Sequence, residues 1–228
     1  MLFFRTPDNR KMLENNEKAG RLVRVMPGCY SNDLATDAGM QVRLNLVRIL
    51  KHLRPHSVIS HCSALKNDFG GSDGFVVLTV AGISDNYIHQ LPAMRVLATP
   101  GPGPLAGDAD IGGIYVSSPA RALLENLEPR RPIKGLEGAA KQANSRDLML
   151  FMREIAPDDQ ALSGMLSLAE LANKASGNRW HDELEALNKT AADRLTEDAR
   201  HPARTSKNIG YPDLSVFSAT EPAHVILA

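Results

Sequence analysis

Several short constellations in this chain carry side chains capable of chemistry. Asp108-Ala-Asp110 sets two carboxylates two residues apart, a spacing that on a strand could hold a magnesium ion for nucleotidyl transfer. That chemistry also needs a Gly-Ser phosphate loop shortly before the pair. Gly70-Gly71-Ser72 lies too far upstream, so a solvated turn is expected at Asp108–Asp110. The stretch Gly70-Gly-Ser-Asp-Gly74 has no following Lys and opens a strand rather than a helix, which fits a flexible loop better than a phosphate cradle. His61-Cys62-Ser63 holds candidate nucleophiles, but a nucleophile needs a base held within reach by a third group, and adjacency in sequence does not supply that geometry. The expectation is that Ser60 or His61 caps a short helix while Cys62 packs inside. His52, His56, His89, His181, His201 and His224 show no ligand spacing with one another or with the cysteines. Gly177-Asn178-Arg179 resembles part of an anion-holding loop, yet no His-x-Phe element precedes it as in an AMP-transferring enzyme. It reads as a helix break, with Trp180 and Leu184 packing nearby. No catalytic residue, metal site or cofactor is expected.

Basic residues offer a different chemistry. Arg10, Lys11 and Lys18 fall on one helix-like run, and Arg21 and Arg24 on the segment after it. All five are candidate contacts to the phosphates of duplex DNA, which position a protein without specifying sequence. The chain has no net charge, but residues 1–66 hold 11 Lys/Arg against 5 Asp/Glu and residues 67–228 hold 15 against 21. A basic end on a neutral protein can seat a polyanion, because each cation that neutralises a phosphate releases condensed counterions. Cys29 and Cys62 cannot build a disulfide framework or a metal site alone, and free thiols suit a reducing cytoplasm. No window is apolar for the roughly 18 residues a membrane span needs, and Met-Leu-Phe-Phe-Arg-Thr-Pro-Asp at the start lacks a signal peptide's apolar region. The expected location is cytoplasmic, with no membrane partner.

The elements that must position these residues follow from pattern. Pro7 and Asp8 suit a helix start, Gly20 its stop after Ala19. Arg21–Val25 and Cys29–Ser31 then form a hairpin with Pro27-Gly28 at its tip, as at the end of a winged helix. Thr36 is the expected N-cap of a helix with Met40, Leu44, Val47 and Leu50 as its apolar stripe, ended by Pro55. Strands are expected at Ser57–Ser60, Gly74–Val80, Asn86–Gln90, Met94–Ala98 and Gly113–Ser117, with helical turns at His61–Lys66 and a rigid loop over the Pro/Gly-rich Thr99–Gly107. Ser118-Pro119 opens a helix through Leu127, and Pro129 to Pro132 breaks it. Helical patterns return at about Glu137–Ile155, Asp159–Ala175 and His181–Leu195. The predicted fold class is α/β (α+β): a partial winged helix over 1–34, an α/β domain with a small mixed sheet over 35–130, a helical region over 131–195 and a loosely ordered tail over 196–228.

Four segments in order resemble one family. They are Gly20-Arg-Leu-Val-Arg-Val-Met-Pro-Gly-Cys-Tyr30, Val58-Ile-Ser-His-Cys-Ser-Ala-Leu65, Pro100-Gly-Pro-Gly-Pro-Leu-Ala-Gly-Asp108 and Tyr115-Val-Ser-Ser-Pro-Ala-Arg-Ala-Leu-Leu-Glu-Asn-Leu127. Together they are similar to AbiEi-type antitoxins and transcriptional regulators of type IV toxin–antitoxin systems, closest to the version at the N-terminus of bacterial cell filamentation protein Fic. The likeness covers about residues 10–130 and continues faintly to about Lys189, where Trp180-His-Asp-Glu-Leu-Glu-Ala-Leu-Asn188 looks like the lead-in to a Fic domain. It implies a winged helix that binds the operon's own promoter and an α/β domain with helices that supports antitoxin activity or oligomerisation. The chain is short by the first winged-helix helices and loses the pattern after about Lys189, so it is expected to be a relative truncated at both ends. The expected function is a non-catalytic, antitoxin-like DNA-binding regulator; the alternative is an interaction module for a Fic-type AMP transferase or another toxin supplied in trans. The expected partners are accordingly duplex DNA and a cognate toxin or Fic-domain protein, with the oligomeric state left open.

Overall fold

The computed structural model of the chain describes residues 1–65, 74–128 and 145–200. The chain falls into two compact units, Met1–Ala191 and Ala192–Ala228. The first unit is an α+β fold built on two sheets.

The smaller sheet has three strands, β1 (Leu2–Phe4), β2 (Val23–Met26) and β3 (Cys29–Ser31), in the order β1-β3-β2, all antiparallel. Helix α1 (Arg10–Lys18) connects β1 to β2. Gly20, at φ +69°, makes the turn out of it, a conformation that glycine adopts without steric cost. The helix and hairpin lie where the sequence pattern puts them. Strand β1 is an addition: its three residues are too short a run to show a period.

Helix α2 (Ala38–Leu44) and helix α3 (Leu46–Leu53) replace the single helix expected after Thr36. Asp37 rather than Thr36 is the N-cap, its carboxylate accepting from the Met40 N–H at 3.0 Å. Asn45 interrupts the run and its side chain donates to the Gln41 carbonyl at 3.0 Å. That break rotates the apolar stripe: Val42, Leu46, Ile49 and Leu50 are buried, whereas Met40 and Leu44 face solvent at 48% and 72% exposure.

The larger sheet has six strands in the order β6-β7-β5-β4-β9-β8. These are β4 (Val58–Ile59), β5 (Phe75–Val80), β6 (Tyr87–Leu91), β7 (Met94–Pro100), β8 (Ala109–Asp110) and β9 (Tyr115–Val116). β5 and β7 are parallel, with Val77 opposite Leu97 and Thr79 opposite Thr99; β4 and β9 are also parallel, and the remaining pairs are antiparallel. Helix α4 (His61–Leu65) follows β4, and helix α5 (Pro119–Leu127) follows β9, with the Ser118 hydroxyl accepting from the Arg121 N–H at 3.3 Å. Helices α6 (Ser145–Ile155), α7 (Asp159–Ala175) and α8 (His181–Arg200) complete the described chain. Residues 196–200 are thus helical, where a loose tail was expected. The expected loop at Gly70–Gly74, up to residue 73, the break at Pro129 to Pro132, the start of the Glu137 helix and the tail beyond residue 200 lie outside the described residues.

Side chains alternate across β5 and β7. Val76, Leu78, Val80, Val96 and Ala98 point to one core, shared with α2, α3 and with Leu2, Val25, Met26 and Cys29 of the small sheet. Leu2, Val25, Met26 and Cys29 of the first 34 residues thus share a core with the α/β part. A second core joins Leu123 and Leu124 of α5 to Met152, Leu162, Met165, Ala169, Trp180 and Leu187. In the second unit, the described end of α8 holds an ion pair of Arg194 with Asp198 at 3.2 Å. Among the described residues, no helix is long and apolar enough to cross a membrane.

One edge of the large sheet carries a pH-sensitive contact. The Arg54 side chain donates from Nε to Nε2 of His89 at 3.2 Å, which requires a neutral imidazole. Burial, and then the Arg54 charge, hold His89 below its usual value of 6.5. A base with a depressed folded value stabilises the fold above pH 6.5, and the contribution is lost as pH falls through the folded value. We expect the His89 ring resonances to titrate below 6.5 and His89→Gln to flatten the decline of stability with acid. A midpoint at or above 6.5 would contradict the assignment.

Candidate functional site

The five cations singled out in sequence are all solvent-exposed. Arg10, Lys11 and Lys18 ride on α1, which buries Leu13 beneath them; Arg21 lies in the turn after Gly20, and Arg24 on β2. Two of them are in ion pairs: Arg10 Nε is 2.9 Å from Glu14, and Arg24 Nη2 is 2.8 Å from Glu17. Both guanidiniums remain more than half exposed, so solvent screens these pairs heavily. Arg24 also stands 5.6 Å over the Tyr30 ring. Lys11, Lys18 and Arg21 make no ion pair among the described residues. The same small sheet contributes Phe4 to an open, basic hollow of about 460 Å³, where Phe4 stacks on His52 at 4.2 Å and Arg48 and Lys51 of α3 line the wall.

A second arrangement was not foreseen from the sequence. Arg121 of α5 is completely buried, and its guanidinium uses both faces of its fork. Nε donates to Glu125 Oε1 at 2.9 Å, Nη1 to Asp108 and to the Gly103 carbonyl at 2.9 Å, and Nη2 to the Pro102 carbonyl at 2.9 Å. Asp108, expected in a solvated turn, instead has its side chain 1% exposed. Its location follows from the requirement that a buried guanidinium be met by charge. Asp110 remains a turn former, accepting from the Gly112 and Gly113 N–H groups at 2.9 and 2.8 Å. These bonds hold its carboxyl below the usual aspartate value.

Glu125 is the centre of the arrangement. Its Oε2 accepts from Ser117 Oγ at 2.9 Å and from the His61 backbone N–H at 3.2 Å. Burial pushes its carboxyl above the usual glutamate value, while Arg121, Ser117 and the His61 N–H pull the other way. Thr79 Oγ1 lies 2.9 Å from Ser60 Oγ and 3.4 Å from Glu125. Ser60 Oγ also lies 2.7 Å from His61 Nδ1, so Thr79, Ser60 and the imidazole form one continuous chain of polar contacts beside Glu125. His61 itself has φ +58°, a left-handed conformation that is uncommon for a residue with a Cβ.

Above this network opens a cavity of about 420 Å³. Its floor is the face of the parallel pair opposite the first core, Val77 and Thr79 beside Leu97 and Thr99. The rim includes Ser84, Asp85, Asn86, Gly101 and Pro102, and Glu128, Arg179 and Trp180 line it further. A Cβ at Gly101 would lie 2.3 Å from Thr79 Cγ2, so a side chain there would displace the floor. Glu128 pairs with Arg179 and accepts from Trp180 Nε1 at 3.1 Å.

Gly177 and Asn178, at φ +76° and +61°, break the helix between α7 and α8, and Trp180 and Leu184 pack in the second core, both as expected. Arg179 and Trp180 also reach the cavity, which that expectation missed. Cys62 is partly buried against Val77 and Leu97, and Ser63 Oγ accepts from the Val77 N–H at 3.0 Å. Cys29 is buried and its thiol is pushed up to about 11, far from thiolate chemistry. No group of three or more His, Cys, Asp or Glu is placed to hold a metal among the described residues. The signal that could have found Arg121 and Glu125 is their i,i+4 placement inside the apolar run Ala120–Leu127, since two opposite charges on a buried helix face must pair. Comparisons with protein-family models, with curated proteins and with solved structures find no match to this chain.

Proposed function

We propose that this chain is a non-catalytic, antitoxin-like regulator that binds duplex DNA through α1 and the β2–β3 hairpin. The observation that carries the reading is the exposure of all five cations across one helix, one glycine turn and one strand, over a sheet whose inner side is anchored in the main core. The resemblance of the ordered segments to AbiEi-type regulators supports it independently. The pairs of Arg10 and Arg24 with Glu14 and Glu17 are weak enough for phosphates to displace.

Fluorescence anisotropy of the full chain with its own upstream duplex and with an unrelated duplex tests the proposal. Five phosphate contacts give a slope of about −4.5 for log affinity against log salt, or roughly 500-fold weaker binding between about 50 and 200 mM. Arg21→Ala with Arg24→Ala should reduce the slope to about −2.7. Affinity indifferent to salt and to both substitutions would sink the proposal.

One observation favours a second reading, an interaction module for a Fic-type AMP transferase or another toxin in trans. Leu168 and Leu171 of α7 stand 49% and 61% exposed, one helical turn apart, and side chains at that spacing share a helix face. Failure to bind either duplex at low salt would leave this reading in place.

A further inference from the structure

Neither reading uses the 420 Å³ cavity, which has three marks of a constructed site. The first is position. The cavity lies at the carboxyl ends of the parallel strands β5 and β7, and the segments that follow them supply Ser84–Asn86 and Gly101–Pro102 to its rim. Ligands of sheets with parallel strands gather at such ends. The second is rigidity. Arg121 grips the Pro102 and Gly103 carbonyls at 2.9 Å each, so the rim loop is fixed to a buried ionic network before any ligand arrives. The third is strain. His61, a lining residue, is held at φ +58°, and such backbone persists only where its surroundings over-determine it.

The lining also states what it would bind. Glu125 faces Arg121, and Glu128 faces Arg179. Asp85, at the rim, has no ion pair among the described residues and accepts only the Ser84 hydroxyl, at 2.9 Å. The Ser84 proton is committed to Asp85, and the Thr79 proton to Ser60 or Glu125 within the buried network. Thr79 and Ser84 therefore present lone pairs inward beside the Asp85 carboxylate, while the Arg179 guanidinium is met by Glu128. With Glu125 and Glu128 in the same lining, the site favours a cation over an anion. The volume falls in the range of small-molecule sites. We propose that this cavity binds a small hydroxylated amine, its ammonium group against Asp85 and its hydroxyls donating to Thr79 and Ser84.

Isothermal titration of the full chain with glucosamine, glucose and glucose 6-phosphate tests the proposal, with the sugars as probes of charge at constant size. Glucosamine should bind roughly fivefold more tightly than glucose, the advantage of one solvent-facing ion pair, and glucose 6-phosphate should not bind. Asp85→Asn should erase the difference between glucosamine and glucose. Because Asp85 is exposed and holds only one hydroxyl, that variant should unfold at the wild-type temperature, which separates lost binding from lost fold. Absence of glucosamine binding at millimolar concentration, an advantage that survives Asp85→Asn, or binding of the phosphate would each overturn the assignment. None of these outcomes bears on the DNA-binding reading, whose residues lie elsewhere.

Discussion

Arg121→Met should cost the fold about 3–5 kcal/mol, the range found when one partner of a buried ion pair is removed. The side chain is 0% exposed and its fork meets two carboxylates, Glu125 and Asp108, and two backbone carbonyls, Pro102 and Gly103. Methionine fills part of the volume but satisfies none of the four acceptors, and the Asp108 and Glu125 side chains, 1% and 2% exposed, lose their counter-charge. For a chain of this size every kcal/mol moves the midpoint by about 2–4 °C, so the thermal transition should fall by roughly 6–20 °C. Arg121→Lys keeps the charge, yet a point-like ammonium cannot span four acceptors in a plane, and it should fall in between. Adding Asp108→Asn and Glu125→Gln to Arg121→Met removes the two uncompensated charges and should restore part of the loss. A midpoint for Arg121→Met within a degree or two of wild type would show that water reaches the network.

Trp180→Ala is the second large effect, at about 3–5 kcal/mol for a buried tryptophan truncated to alanine. The ring is fully buried in the second core, its backbone N–H donates to Asn173 Oδ1 at 2.8 Å and its indole N–H to Glu128 at 3.1 Å. Arg121 stands 5.8 Å over its face. Truncation opens a void under α5, α7 and α8 and removes the indole donor from Glu128, which keeps only its pair with Arg179, so the cost is not one of volume alone. Trp180→Phe retains most of the packing and loses the indole donor; it should cost less than half as much. Urea denaturation followed by circular dichroism measures both variants. In the wild type Trp180 is the chain's single tryptophan, so its fluorescence isolates this core. Equal losses for alanine and phenylalanine would assign the effect to the hydrogen bond rather than to packing.

Elements whose signal is local were legible in the sequence. Gly20 and Gly177-Asn178 mark their boundaries through backbone conformation, Ser118-Pro119 through a cap and a fixed φ, and Gly74–Val80 is apolar enough to be read as a central strand. Three-residue and two-residue strands such as β1 and β8 were not legible, because pairing with a distant partner defines them. The stripe of Met40 and Leu44 misled because it assumed one continuous helix, and a one-residue break at Asn45 turns the face by a large angle. The exposed cations could be listed from the sequence, since Lys and Arg in a polar run stay at the surface. The cavity could not. It is assembled from β4, β5, β7, α5 and the α7–α8 junction, and no spacing within one segment encodes that convergence.

Strands β6 and β7 meet across a two-residue turn, Pro92-Ala93, in which Ala93 takes φ +60°. Among the described residues this is the only ladder of the large sheet closed by so short a loop, and it suggests an order of assembly. A hairpin of this kind closes in about 1–10 μs, whereas the β5–β7 ladder and above all the β4–β9 pair, Val58 against Tyr115, must first bring distant segments together and pay the larger loop entropy. Helix α5 leaves directly from β9, so docking of Arg121 is expected to follow the β4–β9 pairing, and a φ-value near zero for Arg121→Met would check that order. Asp108 and Glu125 can then stay hydrated through the early steps and give up their water only when the guanidinium arrives.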